Sequence, residues 1–243
     1  MFKLIYTADL HGNEKFYKRL LEKAEDENVN AIAIGGDLCG REGSTIKEKV
    51  SSQKIFLEKF VLPLLKEFNK KNKNTEIYAI MGNDDFRENL DILENADKNK
   101  ILKSIHKKSI KLNKSFSIAG YSFVNPTPFR LKDWEKPDFE GDGAPTQLFN
   151  EEIRSIGKEN GTIQEDLNQL KQLSNPRCNI NRRPCRQQGD KKFHGKRAAF
   201  AFIARAHTRK PEDERLVERQ NWKYNLHKCR KQLSGRQAEL RCC

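Results

Sequence analysis

Three short β-prone runs, "FKLIYTAD", "VNAIAIGGD" and "EIYAIMGND", each close on an acid-bearing turn, and amphipathic stretches separate them. In "EKFYKRLLEKAEDEN" the 3.6-residue period puts Phe16, Leu20, Leu21 and Ala24 on one face. "IKEKVSSQKIFLEKFVLPLLKEFNKK" reads as one long helix kinked near Pro63, since proline removes a backbone donor and crowds the preceding turn. The order β-α-β-α-β argues for a mainly parallel sheet covered by helices. A chain of 243 residues is long enough to bury one sizeable core of this kind.

The pattern then changes. A short helix near "RENLDILEN" leads into "SIKLN", "SFSIAG" and "YSFVN", three alternating runs separated by Asn-Lys and Gly, which predict an antiparallel stretch. His106, in "KSIHKKSIK", reads as a surface strand residue. "PTPFRLKDWEKPDFEGDGAPTQ" has loop composition, and "NGTIQEDLNQLKQLSNP" is one more amphipathic helix. Beyond Pro176, "AAFAFIA" is the one apolar run.

Charge divides the chain at the same point. The net charge is +13, and residues 177–243 hold 19 basic and 6 acidic side chains, while the rest holds 28 of each. Five of the six cysteines also lie there: Cys178, Cys185, Cys229, Cys242 and Cys243. The chain therefore reads as two portions, 1–176 and a basic, cysteine-bearing tail, 177–243. No apolar run approaches the roughly 18 residues of a membrane span. Met1 leads straight into a strand-like run without a basic flank or cleavage site, which predicts a soluble, cytoplasmic protein.

The chemistry gathers at the strand ends. Asp9 and His11 follow the first run, Asp37 the second, Asn83 and Asp84 the third. In parallel α/β sheets that edge is where ligands bind. Asp-x-His sets a carboxylate and an imidazole on one turn, where both can reach one cation. Asp37 could bridge two cations, and Asn83 could offer a neutral oxygen to the second. Mixed oxygen and nitrogen donors suit Mn, Fe or Zn. A pair of such ions roughly 3.5–4 Å apart can activate water and clamp a phosphoryl group. Taken singly, each signal has a blander reading, since a strand-end Asp is often only a helix N-cap. Three in order, each after its own strand, favour the metal site.

"DLHGN", "GGDL" and "MGNDD" resemble the calcineurin-like metallophosphoesterases, whose pattern is D-x-H, then G-D, then G-N-[HD]-[DE]. The resemblance covers about the first 130 residues, and "AGYSFVNPTPFRLKDWE" looks like a loop of one microbial branch. It implies an αββα sandwich and hydrolysis of phosphate mono- or diesters by a metal-activated hydroxide. By resemblance, Asp9 and His11 bind the first of two divalent ions, Asp37 bridges, and Asn83 binds the second. Asp84 stands where most members carry the histidine that serves as general acid or phosphate contact; it could act as the acid only with a raised pKa.

The same resemblance calls for a later "H-x-P-P" strand and a "G-H-x-H" turn. His106, His194, His207 and His227 lie in neither context. Read one nucleotide later, within codon degeneracy, "ARAHTRKPEDER" becomes "HGHIHESPKMSG" and "NWKYNLHKCRK" becomes "IGNTIFINAGN", in the family's order. The tail thus reads as an out-of-frame or disordered segment, which implies an incomplete sandwich, uncovered strand edges and impaired hydrolysis. The alternative is a non-catalytic protein whose basic tail contacts nucleic acid through phosphates. Sparse aromatics for base stacking and the lack of a C-x-x-C pair weigh against nucleic-acid and zinc roles for the tail.

Overall fold

The structure is a computed structural model that describes residues 2–114, 116–142, 151–173, 200–205 and 238–240. Strands β1 (Leu4–Thr7), β2 (Ala31–Ile34), β3 (Glu76–Ala79) and β4 (Lys103–Ser104) are parallel neighbours, in the order β4-β3-β2-β1. Helices α1 (Glu14–Asp26), α2 (Ile46–Phe56), α3 (Leu62–Lys71) and α4 (Leu90–Lys98) connect them. A second, antiparallel sheet holds β5 (Lys108–Lys111), β6 (Phe116–Tyr121) and β7 (Phe200–Arg205), and α5 (Ile163–Leu173) contacts β5. A further strand, β8 (Ala238–Leu240), pairs antiparallel with β1. Two strands of the tail therefore pair with β6 and β1, where the sequence predicts uncovered edges.

Strand alternation divides the core in two. Ile5, Ile32, Ile34, Ile77 and Ala79 face the helices, packing against Leu20, Leu21, Leu65, Phe68 and Leu93. Their neighbours Leu4, Ala31, Ala33, Tyr78 and Ile80 face the other way, against Ile105, just past β4, and Ile118 of the second sheet. Helices on one sheet, that sheet on a second, and α5 beyond follow the αββα order of layers that the sequence implies.

Several elements differ from the sequence reading. On α1 the buried stripe is Tyr17, Leu20, Leu21 and Ala24, while Phe16 is 43% exposed. Tyr17 is the residue at the i, i+3, i+4, i+7 spacing, and its hydroxyl donates to the Leu38 carbonyl at 2.9 Å. The kink near Pro63 is a single π turn over Leu57–Val61, with the Leu62 amide bonded back to the Leu57 carbonyl. Pro63 has no amide to continue the regular ladder, so the widened turn precedes it. Gly120 is no turn: β6 runs through it to Tyr121, and a Cβ there would strike Ile105 and Ile80 between the sheets. The third expected strand reduces to an isolated bridge between Val124 and Glu135.

His106 is not a surface residue. It packs against Tyr121, Phe123 and Trp134, and its Nδ1 accepts the Ser122 amide at 3.0 Å. Burial, with Lys107 beside it, pushes its pKa down to about 3. The loop-like composition after Pro126 also hides a packed segment, in which Leu131, Trp134 and Lys136 are buried. Lys136 Nζ meets Asp166 at 2.8 Å and Glu159 at 2.9 Å, which ties α5 and the segment before it to this loop.

Candidate metal centre

The first two βα loops lie side by side and zip together through backbone bonds. Asp9 N–H donates to Gly36 O at 3.1 Å, His11 N–H to Asp37 O at 2.8 Å and Gly12 N–H to Leu38 O at 3.0 Å. These bonds hold Asp9, His11 and Asp37 at φ of 58°, 44° and 52°, the left-handed region that non-glycine residues rarely occupy. Such conformations cost on the order of 1 kcal/mol or more each and gather at functional sites. The blander N-cap reading fails here. Asn13 caps α1 through its side chain, and Thr45 caps α2 in a reciprocal box with Glu48.

Freed from capping, the three side chains converge. Their ligand atoms lie within 4.8 Å of one another, the one His/Cys/Asp/Glu group among the described residues that could hold a metal ion. His11 Nε2 stands 3.9 Å from Asp9 Oδ1 and 4.0 Å from Asp37 Oδ2. Its other nitrogen, Nδ1, faces Asp84 Oδ2 at 3.7 Å. A ligating histidine commonly has this arrangement, with one nitrogen toward the ion and the other toward an orienting carboxylate.

The β3 loop completes the rim. Gly82 permits its close approach, because a Cβ there would collide with the Asp37 amide nitrogen and carboxylate. The Asp84 amide donates to Asp37 Oδ1 at 2.8 Å. Asn83 Nδ2 donates to Asp84 Oδ1 at 2.8 Å, and among the described residues Asn83 Oδ1 is buried without a hydrogen-bond partner. A buried acceptor left bare costs free energy, and an ion at this point would satisfy it.

Asp37 is 2% exposed, and its pKa is pushed up to about 9 by burial first, then by the nearby Asp85 and Asp84 and a hydrogen bond with Asp9. Carboxylates crowded together in a poorly solvated site need either a proton or a cation. The oxygen-and-nitrogen donor set, the bare Asn83 oxygen and this crowding all fit a divalent ion.

Sequence reasoning missed three supporting residues. Asp85 is fully buried and accepts the Leu38 and Cys39 amides at 3.0 Å each and the Gly82 amide at 2.8 Å, locking the second and third loops together. Burial lifts its pKa to about 6 against the lowering effect of these bonds. Gln53, on the buried side of α2, donates to the Gly40 and Asp84 carbonyls at 3.0 Å each and accepts the Phe86 amide at 2.8 Å. Arg41 forms an ion pair with Asp84. The doubled acid in "GNDD" is a local signal for Asp85; nothing local marks Gln53 or Arg41.

The family model of calcineurin-like phosphoesterases matches residues 2–184. The chain belongs to the calcineurin-like phosphoesterase family. Among solved structures, the chain is similar to TT1561 of Thermus thermophilus, at 15% identity and a TM-score of 0.39, over 52% of this chain and 54% of that one. A second solved structure is 11% identical with a TM-score of 0.40, over 56% of this chain and 59% of that one. The chain thus spans just over half the length of both. No curated protein matches it.

Of the later histidines, His106 sits in its aromatic cage, while His194, His207 and His227 lie outside the described residues, as does most of the basic tail. Among the described residues, no helix is long and apolar enough to cross a membrane.

Proposed function

We propose that this chain is a phosphoesterase whose cation site is built from Asp9, His11, Asp37 and Asn83, and that it acts on phosphate mono- or diesters with two divalent ions, Mn, Fe or Zn. The observation that carries the reading is the convergence of Asp9, His11 and Asp37 beside the unpartnered Asn83 oxygen. Asp9 and His11 would hold the first ion, Asp37 would be shared with the second, and Asn83 Oδ1 would add a neutral oxygen to it. When bound, the ions supply Lewis acidity, acidifying water and neutralising charge on the phosphoryl oxygens.

The chain's own residues hold this geometry. Asp84 faces His11 Nδ1 and so selects the ring orientation that leaves Nε2 toward Asp9 and Asp37. The Asp84 amide on Asp37 Oδ1 leaves Oδ2 turned toward the histidine. Asp85 and Gln53 keep the second and third loops in register.

By resemblance to the family, a complete two-ion site draws on three further histidines, and "G-H-x-H" and "H-x-P-P" are missing from this sequence. The second ion is therefore weakly held and turnover low. Titrating the full chain with Mn²⁺ tests the site: binding is expected, and Asp37→Asn should abolish it. Hydrolysis of p-nitrophenyl phosphate and its bis-ester should stay near background. A chain that binds neither Mn²⁺ nor Zn²⁺ refutes the site. Robust turnover abolished by Asp37→Asn would instead show that the ligand set is complete.

A further inference from the structure

The edge of the parallel sheet opposite the cation site is basic. Helix α3 ends at Lys71 and leads into β3, and α4 ends at Lys98 and leads into β4. β3 and β4 are parallel neighbours, so the two helix ends lie side by side near the strand starts, away from the strand ends that carry Asp37 and Asn83. Asn69 Nδ2 on α3 donates to the Ile101 carbonyl past α4 at 2.7 Å and ties them together. Residues 66–74 and 97–103 hold seven lysines against two acids. The other residues of the first 176 hold 21 basic and 26 acidic side chains, so the positive charge of this portion is gathered here.

The acids of this edge are already answered. Glu67 pairs with Lys70 at 2.6 Å, Glu76 with Lys103 at 2.5 Å and Asp97 with Lys108 at 3.2 Å. Lys66, Lys71, Lys73, Lys98 and Lys100 are exposed, and among the described residues none of the five has an ion-pair partner. A lysine in the last turn of a helix complements its dipole, which accounts for Lys71 and Lys98. It does not account for the others. Lys100 stands just past α4 at φ 58°, in the left-handed region. Its amide returns to the Asp97 carbonyl and that of Ile101 to the Ala96 carbonyl, a helix-ending turn in which glycine or asparagine is favoured. A lysine there is held against its backbone preference and adds a further charge to the edge.

The chemistry of the patch narrows its partner. All seven cations are lysines, without an arginine fork to grip one carboxylate or phosphate. Among the described residues, the exposed large apolar side chains are Phe16, Ile46, Ile55 and Phe139, all on other segments. Nothing here inserts into lipid or stacks on a base, so charge alone has to supply the contact. Helices packed side by side lie about 8–10 Å apart. Double-stranded nucleic acid presents one negative charge per roughly 1.7 Å of its axis, dense enough for ammonium groups on two such helix ends to meet several phosphates at once.

We propose that this lysine edge binds the phosphate backbone of double-stranded nucleic acid without regard to sequence. The contact shares no residue with the cation site and stands apart from the phosphoesterase reading. It also lies on the folded portion of the chain and not on the basic tail.

The test is binding of a labelled DNA duplex of random sequence to the full chain, by fluorescence anisotropy across a salt series. The variant combines Lys66→Gln, Lys71→Gln, Lys73→Gln, Lys98→Gln and Lys100→Gln. The tail is present in both proteins, so their difference reads the patch. Each phosphate contact adds about 0.9 to the slope of log K against log salt, so the variant should lose roughly 3–5 from that slope and bind about tenfold or more weakly at low salt. Changes at exposed lysines leave the fold intact, which an unshifted melting midpoint reports. Arginine at the same five positions keeps the charge and should bind as wild type does. A glutamine variant whose slope stays within about 1 of wild type overturns the proposal, as does a wild type that binds no duplex. Phosphatidylserine vesicles are the second probe: loss of vesicle binding with duplex binding kept would make the partner a membrane surface, and that result also overturns the proposal.

Discussion

Gln53 offers the sharpest test of how the site is held. Its side chain makes three hydrogen bonds: to Gly40 O and Asp84 O at 3.0 Å each, and from Phe86 N at 2.8 Å. Phe86 is 1% exposed, so Gln53→Ala strands its amide away from water at a cost of about 1–3 kcal/mol. The two carbonyls lie on more open loops, where water can replace the amide, so each adds about 0.5–1 kcal/mol. The sum is about 2–5 kcal/mol, a large share of a typical domain's stability. Gln53→Glu should be at least as harmful despite its matching shape, because it turns a carboxylate oxygen toward two carbonyls and buries a charge. Urea unfolding followed by far-UV circular dichroism measures both. With a slope of about 3 kcal/mol/M for a chain of this size, Gln53→Ala should lower the midpoint by roughly 1 M. A shift below about 0.3 M, or a Gln53→Glu variant as stable as wild type, would refute the clamp.

Two further expectations follow from the packing. His106, half-buried among aromatic rings, is held neutral with its pKa pushed down to about 3, so the unfolded chain takes up a proton near pH 6.5 that the folded chain excludes. Its contribution to stability is present above pH 6.5 and is lost at up to about 1.4 kcal/mol per pH unit as pH falls toward 3. His106→Asn, which keeps an acceptor for the Ser122 amide, should flatten that slope in denaturation series across pH 4–7; an unchanged slope would exonerate His106. On α1, Tyr17→Ala should cost about 3–5 kcal/mol and Phe16→Ala under about 0.5 kcal/mol, by thermal melting. The reverse order would restore the helix face expected from the sequence.

How much of the site was legible depended on how local its signals are. Asp9, His11, Asp37 and Asn83 could be read because each follows its own β-prone run, and strand-end position in a parallel sheet already implies a shared edge. The helices and the parallel sheet were legible for the same reason: periods of 2 and 3.6 are written within a few residues. The slip on α1 was one residue of phase, since Phe16 and Tyr17 both fit a hydrophobic stripe until the stripe meets a core.

Other features needed the tertiary structure. Asp84 and Arg41 are 43 residues apart, and Gln53 reaches Asp84 across 31. No period links such positions, because their meeting is set by how the loops after β2 and β3 stack. Gly120 looked like a turn and is a contact between sheets; His106 looked like a surface strand residue and is caged by Tyr121, Phe123 and Trp134. By itself, then, the sequence determined the family, the alternating βα frame and the donor set at its strand ends, because these are patterns along the chain. Only the tertiary structure decided which way His11 faces, what Asp84 touches and where Arg41 stands, because those depend on distances between loops that packing alone brings together.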